Sequence, residues 1–374
     1  MSLQQKISQF LQTHERNLEI AFFLGGFVFD VFTLSAVDDP ISLVQQVIYL
    51  VLIASLLIWE LKVQVLQTQV VGLKSKIWQY RSLILHFLLG SLLSIYSLFY
   101  IKSSSLFASF AFIFALLCLL VLNEMSFIQK GKLHLKVSLF ILCLFSFFSL
   151  IVPTVLGFVG WIPFLISLAL TAGAVWGLVH YLQKTIQDKK ILFQNLSGPG
   201  AAVLGLFTLF YFMGWVPPVP LSIKNIGIYH QISVVEGQYQ LKYERDWWKF
   251  WQKGAQDFRA LNGDQIVVFA SITAPRRFDD EIVFHWSLYN KKKGWQTQDR
   301  IPITIKGGRE KGFRGYGIKQ NFTSGEWRVQ VETIHGREIG RIYFDVEKIE
   351  VPLPGQHQAG DSPPSERQFR TDKF

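Results

Sequence analysis

The sequence has few of the residues that cross-link small secreted domains, because only two cysteines occur among its 374 residues. Cys118 and Cys143 both lie within long apolar runs in the first half of the chain. Any domain formed by the second half therefore has to fold without a disulfide bond.

The chain also lacks the short motifs that mark common catalytic and metal sites. No Gly-x-Ser-x-Gly, His-Glu-x-x-His or P-loop sequence is present. The histidines between residues 222 and 350 are His230, His285 and His335, and they do not have the spacing of metal ligands. We therefore expect no metal, no cofactor and no catalytic residue, and the sequence favours a protein that is not an enzyme.

Apolar residues are abundant instead. Hydrophobic residues make up 50% of the chain, aromatic residues make up 15%, and the mean hydropathy is +0.28. They are concentrated before residue 220, in seven runs close to the roughly 20 residues that a helix needs to cross a bilayer. The seven runs lie at about 18–37, 41–61, 82–100, 104–122, 134–152, 156–182 and 200–217. This pattern predicts an all-α membrane bundle of seven transmembrane helices.

Basic residues predict the orientation of this bundle. Alternate connecting segments hold nearly all of its Lys and Arg residues, and the segments between them hold only Lys102. The basic residues of the first set are Lys6, Arg16, Lys62, Lys74, Lys76, Arg81, Lys130, Lys132, Lys136, Lys184, Lys189 and Lys190. Because positive loops stay in the cytoplasm, we expect a cytoplasmic N-terminus and an extracytoplasmic segment after Val219. The formal net charge of +10 then reflects cytoplasmic loops rather than nucleic-acid binding.

The pattern changes to an alternation of apolar and polar residues after Ser222, as in Gly325–Glu332. Candidate strands lie at 226–235, 238–243, 265–273, 281–289, 297–305, 313–320, 325–333 and 338–346. Short strands separated by turns predict an antiparallel, all-β sandwich of immunoglobulin-like type, with Trp286 and Trp327 in its core. The predicted domains are a transmembrane helical domain at 1–221, an extracytoplasmic β-sandwich at 222–350 and a disordered tail at 351–374.

The most unusual stretch of the predicted β domain is rich in tryptophan. Trp247, Trp248 and Trp251 alternate with basic residues. A short helix or turn of this composition is suited to the outer leaflet of a membrane, and the rings are also suited to stacking on sugars. Alternatively, the rings cap the core of the sandwich. The three tryptophans are candidate ligand or membrane contacts.

Two further sets of residues are candidates for function. Arg309, Arg314 and Lys319 lie in a glycine-rich basic stretch that suits phosphate or carboxylate groups, or else forms a solvated hairpin. Asp30 lies inside the first apolar run. A carboxylate at membrane depth serves helix packing, contact with interfacial water or an ion path, and one acid alone does not make a transport path.

Several segments of the second half together resemble a known family. They are the His-Trp strand at 282–286, Gly308 with Arg309, Lys319, the Gly-x-Trp-x-Val strand at 325–331 and the closing strand at 340–346. This pattern is similar to the bacterial domain-of-unknown-function family 2914. The resemblance implies a bacterial envelope setting, and it implies no activity.

Two functions remain open from the sequence. The first is an uncharacterised, non-enzymatic protein of the bacterial inner membrane whose extracytoplasmic β-sandwich binds an envelope glycan, a lipid headgroup or a partner protein. The second is a transporter or membrane enzyme that works through the helical bundle, with the β domain as a lid. The expected partners are the lipid bilayer and one such envelope ligand, and not nucleic acid.

Overall fold

The computed structural model describes residues 37–67, 71, 73–124, 133–261, 263–306, 312–349 and 369–374. The chain separates into a helical unit and a β unit, and the change from one to the other falls between Pro220 and Leu221. The first predicted membrane helix, at 18–37, and Asp30 within it lie outside the described residues apart from residue 37.

The helical unit contains six helices among the described residues. They are α1 (Pro40–Leu66), α2 (Leu73–Lys102), α3 (Leu106–Glu124), α4 (Leu133–Leu156), α5 (Trp161–Gln183) and α6 (Lys189–Phe212). Five of them, all but α3, contain a span long and apolar enough to cross a membrane, and α3 contains the shorter apolar stretch Ala108–Leu119. The six helices coincide with the last six predicted segments, although several boundaries differ.

Helix α6 begins earlier than the predicted start at residue 200. The carboxylate of Asp188 accepts a hydrogen bond from the backbone N–H of Lys190 at 2.8 Å, so it caps the new start of the helix. A π-helical turn follows at Phe193–Ser197, where the N–H of Gly198 donates to the carbonyl of Phe193. Because Pro199 has no N–H, the regular hydrogen-bond ladder is interrupted at this point.

One ion pair is buried between α1 and α4. The ammonium of Lys136 lies 3.1 Å from the Oε1 atom of Glu60, and both side chains are only 4% exposed. The guanidinium of Arg81 on α2 lies 3.8 Å from the same oxygen. An apolar void of about 10 Å³ also lies within the helical unit, lined by leucines such as Leu57 and Leu133.

The β unit contains eleven strands among the described residues. They are β1 (Ser222–Tyr229), β2 (Gln231–Val235), β3 (Gln238–Tyr243), β4 (Asp257–Ala260), β5 (Ile266–Thr273), β6 (Asp279–Asn290), β7 (Gly294–Lys306), β8 (Phe313–Lys319), β9 (Gly325–Thr333), β10 (Glu338–Lys348) and β11 (Arg370–Lys373). The predicted strand at 226–235 is divided at His230 into β1 and β2, which belong to different sheets. Strands β4 and β11 were not predicted.

The strands form three sheets, with the orders β1-β5-β8, β4-β10-β9-β6-β7 and β11-β3-β2. The first two pack face to face: a Cβ added to Gly317 on β8 would lie 2.9 Å from the Phe284 ring on β6. A Cβ added to Gly340 on β10 would lie 2.7 Å from Ile223 on β1. All strand pairs are antiparallel except β10–β4, which is parallel. The prediction of a wholly antiparallel domain is therefore wrong for this pair.

The core of the β unit contains the two tryptophans predicted to face inward. Trp286 is 0% exposed and Trp327 is 2% exposed, which confirms that prediction. The Trp327 ring stacks on Phe344 at a centroid distance of 6.5 Å, and its indole N–H donates to the carbonyl of Thr323 at 2.9 Å. The polar end of the ring is therefore satisfied inside the core.

The last described residues do not match the prediction of a disordered tail. Residues Arg370–Lys373 form β11, which pairs antiparallel with β3. The N–H and carbonyl groups of Phe374 exchange hydrogen bonds of 3.0 Å with Tyr239, and the Phe374 ring lies 5.1 Å from that of Phe269. The tail prediction is thus wrong for these residues, and 351–368 lie outside the described residues.

Candidate functional site

The tryptophan-rich stretch forms a loop that connects β3 to β4. We call residues 244–256 the aromatic loop. The guanidinium of Arg245 donates to the carbonyl of Gln252, which closes the loop across its base. The backbone N–H of Lys253 donates to Oε1 of Gln256 at 2.9 Å. The loop is therefore built from polar contacts within its own segment.

The aromatic loop is fixed to strand β1 by main-chain hydrogen bonds. The N–H of Ile228 donates to the carbonyl of Lys253 at 3.2 Å, and the N–H of Ala255 donates to the carbonyl of Ile228 at 2.7 Å. Gly254 has φ of +73°, and a Cβ there would lie 2.0 Å from the Ile228 oxygen. Only glycine permits this close approach, so Gly254 fixes where the loop attaches to β1.

The large apolar side chains of this loop point away from the protein. Trp247 and Phe250 are each 80% exposed, Trp251 is 57% exposed and Trp248 is 50% exposed. The Trp248 and Trp251 rings lie 5.5 Å apart, and Phe250 lies 5.2 Å from Trp251. The loop contains turns rather than a helix. The alternative in which the tryptophans cap the core is wrong, because a capping ring would be shielded.

Lys249 links the aromatic loop to the five-stranded sheet. Its ammonium lies 2.6 Å from Asp257 at the start of β4 and 3.0 Å from Asp246, and it stands over the Trp248 ring at 5.0 Å. Hydrogen bonding to Asp257 and then to Asp246 raises the pKa of Lys249. The Lys249 hydrogen bond lowers the pKa of Asp257. Both groups are therefore charged at neutral pH.

A cleft of about 240 Å³ lies between the second half of this loop and the outer face of the five-stranded sheet. Its aromatic walls are Trp295 on β7 and Tyr343 on β10, with ring centroids 5.6 Å apart. Gln252 and Gln256 line it from the loop. The amide of Gln256 donates to the carbonyl of Tyr343 at 2.7 Å, which holds the loop against β10.

A row of three carboxylates completes the cleft. Asp345 on β10 is the direct cross-strand neighbour of Asp257 on β4 and of Glu326 on β9. Burial raises the pKa of Asp345, and the charges of Glu326 and Asp257 raise it further. Like charges placed directly opposite each other destabilise a sheet. Among the described side chains, none donates a hydrogen bond to Glu326 or Asp345.

The predicted basic residues do not join this surface as one patch. Arg314 and Lys319 lie five residues apart on β8 and therefore on opposite faces of the strand. The guanidinium of Arg314 stands 5.3 Å from the Tyr239 ring centroid. Lys319 is buried and its ammonium is paired with Asp299. Arg309 lies outside the described residues.

A polar network on the same sheet involves the predicted His-Trp strand. The imidazole of His285 lies 3.0 Å from Oε1 of Glu332 through Nδ1, and 2.8 Å from the hydroxyl of Thr297 through Nε2. Arg300 lies 3.4 Å from the other oxygen of Glu332. Both imidazole nitrogens are thus occupied. No cluster of three His, Cys, Asp or Glu side chains suited to a metal ion occurs in the described parts of the chain.

A family model matches the part of the chain that contains most of this sheet. Residues 279–346 match DUF2914, a protein family of unknown function. The resemblance predicted from the sequence is confirmed for this segment. The DUF2914 segment runs from β6 to β10, so it supplies Trp295, Glu326, Tyr343 and Asp345 to the cleft but not the aromatic loop.

No curated protein matches the chain. Among solved structures, an immunoglobulin-like protein from Pseudomonas aeruginosa is 13% identical, with 34% of this chain and 98% of that chain covered at a TM-score of 0.22. A β-glucosidase from Kluyveromyces marxianus is 12% identical over 38% of this chain and 17% of that chain, with a TM-score of 0.18. The DNA glycosylase AlkC from Pseudomonas fluorescens, bound to DNA with an abasic site analog, is 10% identical over 72% and 77%, with a TM-score of 0.21. These scores are too low to support an inference.

The loop tryptophans stand out in the sequence, whereas the opposite wall of the cleft does not. Outward positions on the closing strand follow from its alternation, so Tyr343 and Asp345 were recognisable as surface residues. Their proximity to Gln252 and Asp257 depends on the parallel pairing of β4 with β10. No local signal in the four residues of β4 predicts that pairing.

Proposed function

We propose that this protein is a non-enzymatic component of the bacterial inner membrane that presents an immunoglobulin-like β-sandwich outside the cytoplasm to bind an envelope ligand or partner protein. The observation that carries the proposal is the aromatic loop, whose four large apolar side chains are exposed together on a well-anchored scaffold. Such contiguous exposed apolar groups mark interaction sites in folded proteins.

The membrane part of the proposal is supported by the surface of the helices. Large apolar side chains on several of them face outward, including Val51 on α1, Trp176 on α5 and Phe212 on α6. Contact of such side chains with lipid tails has no free-energy cost, whereas their contact with water is unfavourable. Seven crossings with a cytoplasmic N-terminus remain the arrangement that best accounts for the basic residues of the connecting segments.

Co-sedimentation tests the proposed binding role. The full chain, reconstituted in nanodiscs, would be mixed with insoluble cell-wall material and, separately, with lipid vesicles. We expect the parent to sediment with at least one of them. The double variant Trp247→Ser, Trp251→Ser should bind at least about tenfold more weakly, because two exposed rings no longer provide contact area.

The matched control is Tyr316→Ser, which removes another partly exposed aromatic ring of the β unit away from the aromatic loop. It should bind like the parent. If the double variant sediments as well as the parent, the proposed role of the loop is wrong. If the parent sediments with neither material, glycan and lipid ligands are excluded and only a partner protein is left.

The buried Glu60–Lys136 pair favours a second candidate, a transporter that works through the helices. Ionisable groups between transmembrane helices often lie on proton or ion paths. The test is a pH gradient across proteoliposomes, read with a trapped dye. An uncoupled proton path through the helices would dissipate the gradient, and Glu60→Gln would prevent this. Parent vesicles that hold the gradient as long as protein-free vesicles do would exclude such a proton path.

A further inference from the structure

We infer that the cleft between the aromatic loop and the outer sheet face is a carbohydrate-binding site that takes one sugar ring against Tyr343 and Trp295. This inference rests on the proposed binding function and names the ligand class of the same surface. It is carried by the aromatic walls and by acceptor side chains that have no hydrogen-bond donor among the described residues.

The size and the walls of the cleft suit a sugar ring. Its volume of about 240 Å³ is much larger than the roughly 10–15 Å³ that one water needs on the same scale. A pyranose ring has a face of C–H groups, and the negatively charged face of an aromatic ring attracts such groups. Tyr343 is partly exposed at the cleft and provides this face, with Trp295 beside it.

The polar groups of the cleft suit the edge of a sugar, which consists of hydroxyl donors. The carboxylates of Glu326 and Asp345 accept hydrogen bonds only and lie next to each other on neighbouring strands. Two vicinal hydroxyls could donate to this pair. Asp257 already accepts hydrogen bonds from Lys249 and Gln252, so it borders the site and leaves the sugar to the other two carboxylates.

Two cationic side chains lie close to the carboxylates of the cleft. The guanidinium of Arg328 stands 4.6 Å from the Trp295 ring centroid, and the ammonium of Lys249 lies 2.6 Å from Asp257. These two cations offset part of the negative charge of Asp257, Glu326 and Asp345, so the cleft keeps a small excess of negative charge. The hydroxyl groups of a polyhydroxylated ligand would donate hydrogen bonds to Glu326 and Asp345.

The aromatic loop extends the same surface beyond the cleft. Gln252 lines the cleft, and it directly follows Trp251 in the chain. The rings of Trp248 and Trp251 lie 5.5 Å apart. An oligosaccharide with one ring in the cleft could therefore place its next units over these rings, which explains their exposure in a site for a polymer.

Calorimetric titration of the full chain tests the inference, in micelles of a detergent without a sugar headgroup. The probes are chitotetraose, cellotetraose, maltotetraose and soluble peptidoglycan glycan strands. We expect at least one to bind the parent. The double variant Glu326→Gln, Asp345→Asn should weaken that binding at least about tenfold, while its melting temperature stays equal or rises because charge repulsion is removed. The matched control Glu281→Gln, an exposed carboxylate at the start of β6, should bind normally.

Three results would overturn the inference. They are no binding of any probe at millimolar concentration, equal binding by the double variant, and a double variant that loses both binding and thermal stability. Each can be told apart from failure of the proposed function. If Trp247→Ser, Trp251→Ser still abolishes co-sedimentation while no oligosaccharide binds, the loop recognises a lipid surface or a protein, and the proposed function stands without the sugar site.

Discussion

Two tryptophans of the β unit show how context decides the role of a single residue. Trp327 alternates with polar neighbours on a strand, lies inside the core and has its indole N–H bonded to the carbonyl of Thr323. Trp247 lies on a loop held by polar contacts and is 80% exposed. The first ring is held by packing, whereas the second contributes nothing visible to the fold and is available for binding.

This contrast predicts the stabilities of two alanine variants. Trp327→Ala should lower the free energy of unfolding of the β unit by about 3–5 kcal/mol, because it leaves a large cavity beside Phe344. Trp247→Ala, which removes the same side chain from the surface, should change it by less than about 0.5 kcal/mol. Pulse proteolysis of the full chain across a denaturant series measures both. Equal losses for the two variants would contradict the assignment of either ring.

The carboxylates at the cleft predict opposite effects for two isosteric substitutions. Burial and the neighbouring charges raise the pKa of Asp345, so its ionised form opposes folding. This opposition is absent below the unfolded pKa and develops as the pH rises through the folded pKa. Asp345→Asn should therefore raise the melting temperature at neutral pH by a few degrees at most, and the gain should vanish towards about pH 4.

The matched substitution Asp257→Asn should change the melting temperature in the opposite direction. The hydrogen bond from Lys249 lowers the pKa of Asp257, so its ionised form favours folding. That contribution is present above the unfolded pKa and is lost as the pH falls through the folded pKa. Asp257→Asn should lower the melting temperature at neutral pH and have little effect in acid. Scanning calorimetry of both variants at several pH values decides, and shifts of the same sign would contradict this account of the carboxylate row.

At the scale of elements, the structure agrees with sequence reasoning where one face of a strand is buried. The sequence of strand β9 alternates between apolar and polar residues, and its predicted bounds at 325–333 match the observed ones. Strand β4 has only four residues and pairs parallel with β10, so its position depends on a partner nearly ninety residues away. The break at His230 also has no local signal, because both sides of it are apolar enough for one strand.

Strand β11 was missed for a similar reason. Residues Arg370–Lys373 are mostly charged and follow a stretch rich in proline, glycine and glutamine, which is typical of disorder. What orders them is the free edge of β3, where four residue pairs form, together with the contact of Phe374 with Phe269. Tertiary pairing thus decides the state of this segment, and composition does not.

The register of this strand predicts a disulfide. Phe374 and Tyr239 exchange two hydrogen bonds, and hydrogen-bonded and non-hydrogen-bonded pairs alternate along an antiparallel ladder. In this register Thr371 and Lys242 form a non-hydrogen-bonded pair, whose Cα atoms are closely spaced. Thr371→Cys with Lys242→Cys should therefore oxidise readily to an intramolecular disulfide. Thiol labelling of the full chain before and after mild oxidation measures it.

In the control, the cysteine on β3 is moved to another position of that strand. Thr371→Cys with Gln238→Cys places the second thiol four residues from the paired position, about 13 Å away, so this variant should not cross-link. Equal oxidation of both variants would show that β11 does not hold this register. A disulfide between two molecules would instead indicate that the strand pairs with another copy.

At the scale of the whole molecule, the helical unit and the β unit differ in the polarity of their surfaces. Helices such as α5 expose apolar side chains along much of their length, whereas the β unit is mainly polar outside, apart from the aromatic loop and a few scattered rings. The first kind of surface is stable in lipid and the second in water. Together with the distribution of basic residues, this contrast leads to a prediction about the sides of the membrane.

We predict that the short segment between α5 and α6 is cytoplasmic and that the β unit is extracytoplasmic. That segment carries Lys184 and leads into Lys189 and Lys190, and positive segments of this kind are retained inside. Because α6 begins at Lys189, a reporter fused after Gln187 avoids the helix, and a second reporter fused after Ser222 lies beyond it. Alkaline phosphatase should be active only at the second site, and a fluorescent protein that folds in the cytoplasm should be bright only at the first. If both reporters indicate the same side, α6 does not cross the membrane, and the aromatic loop would then face cytoplasmic ligands instead of the envelope.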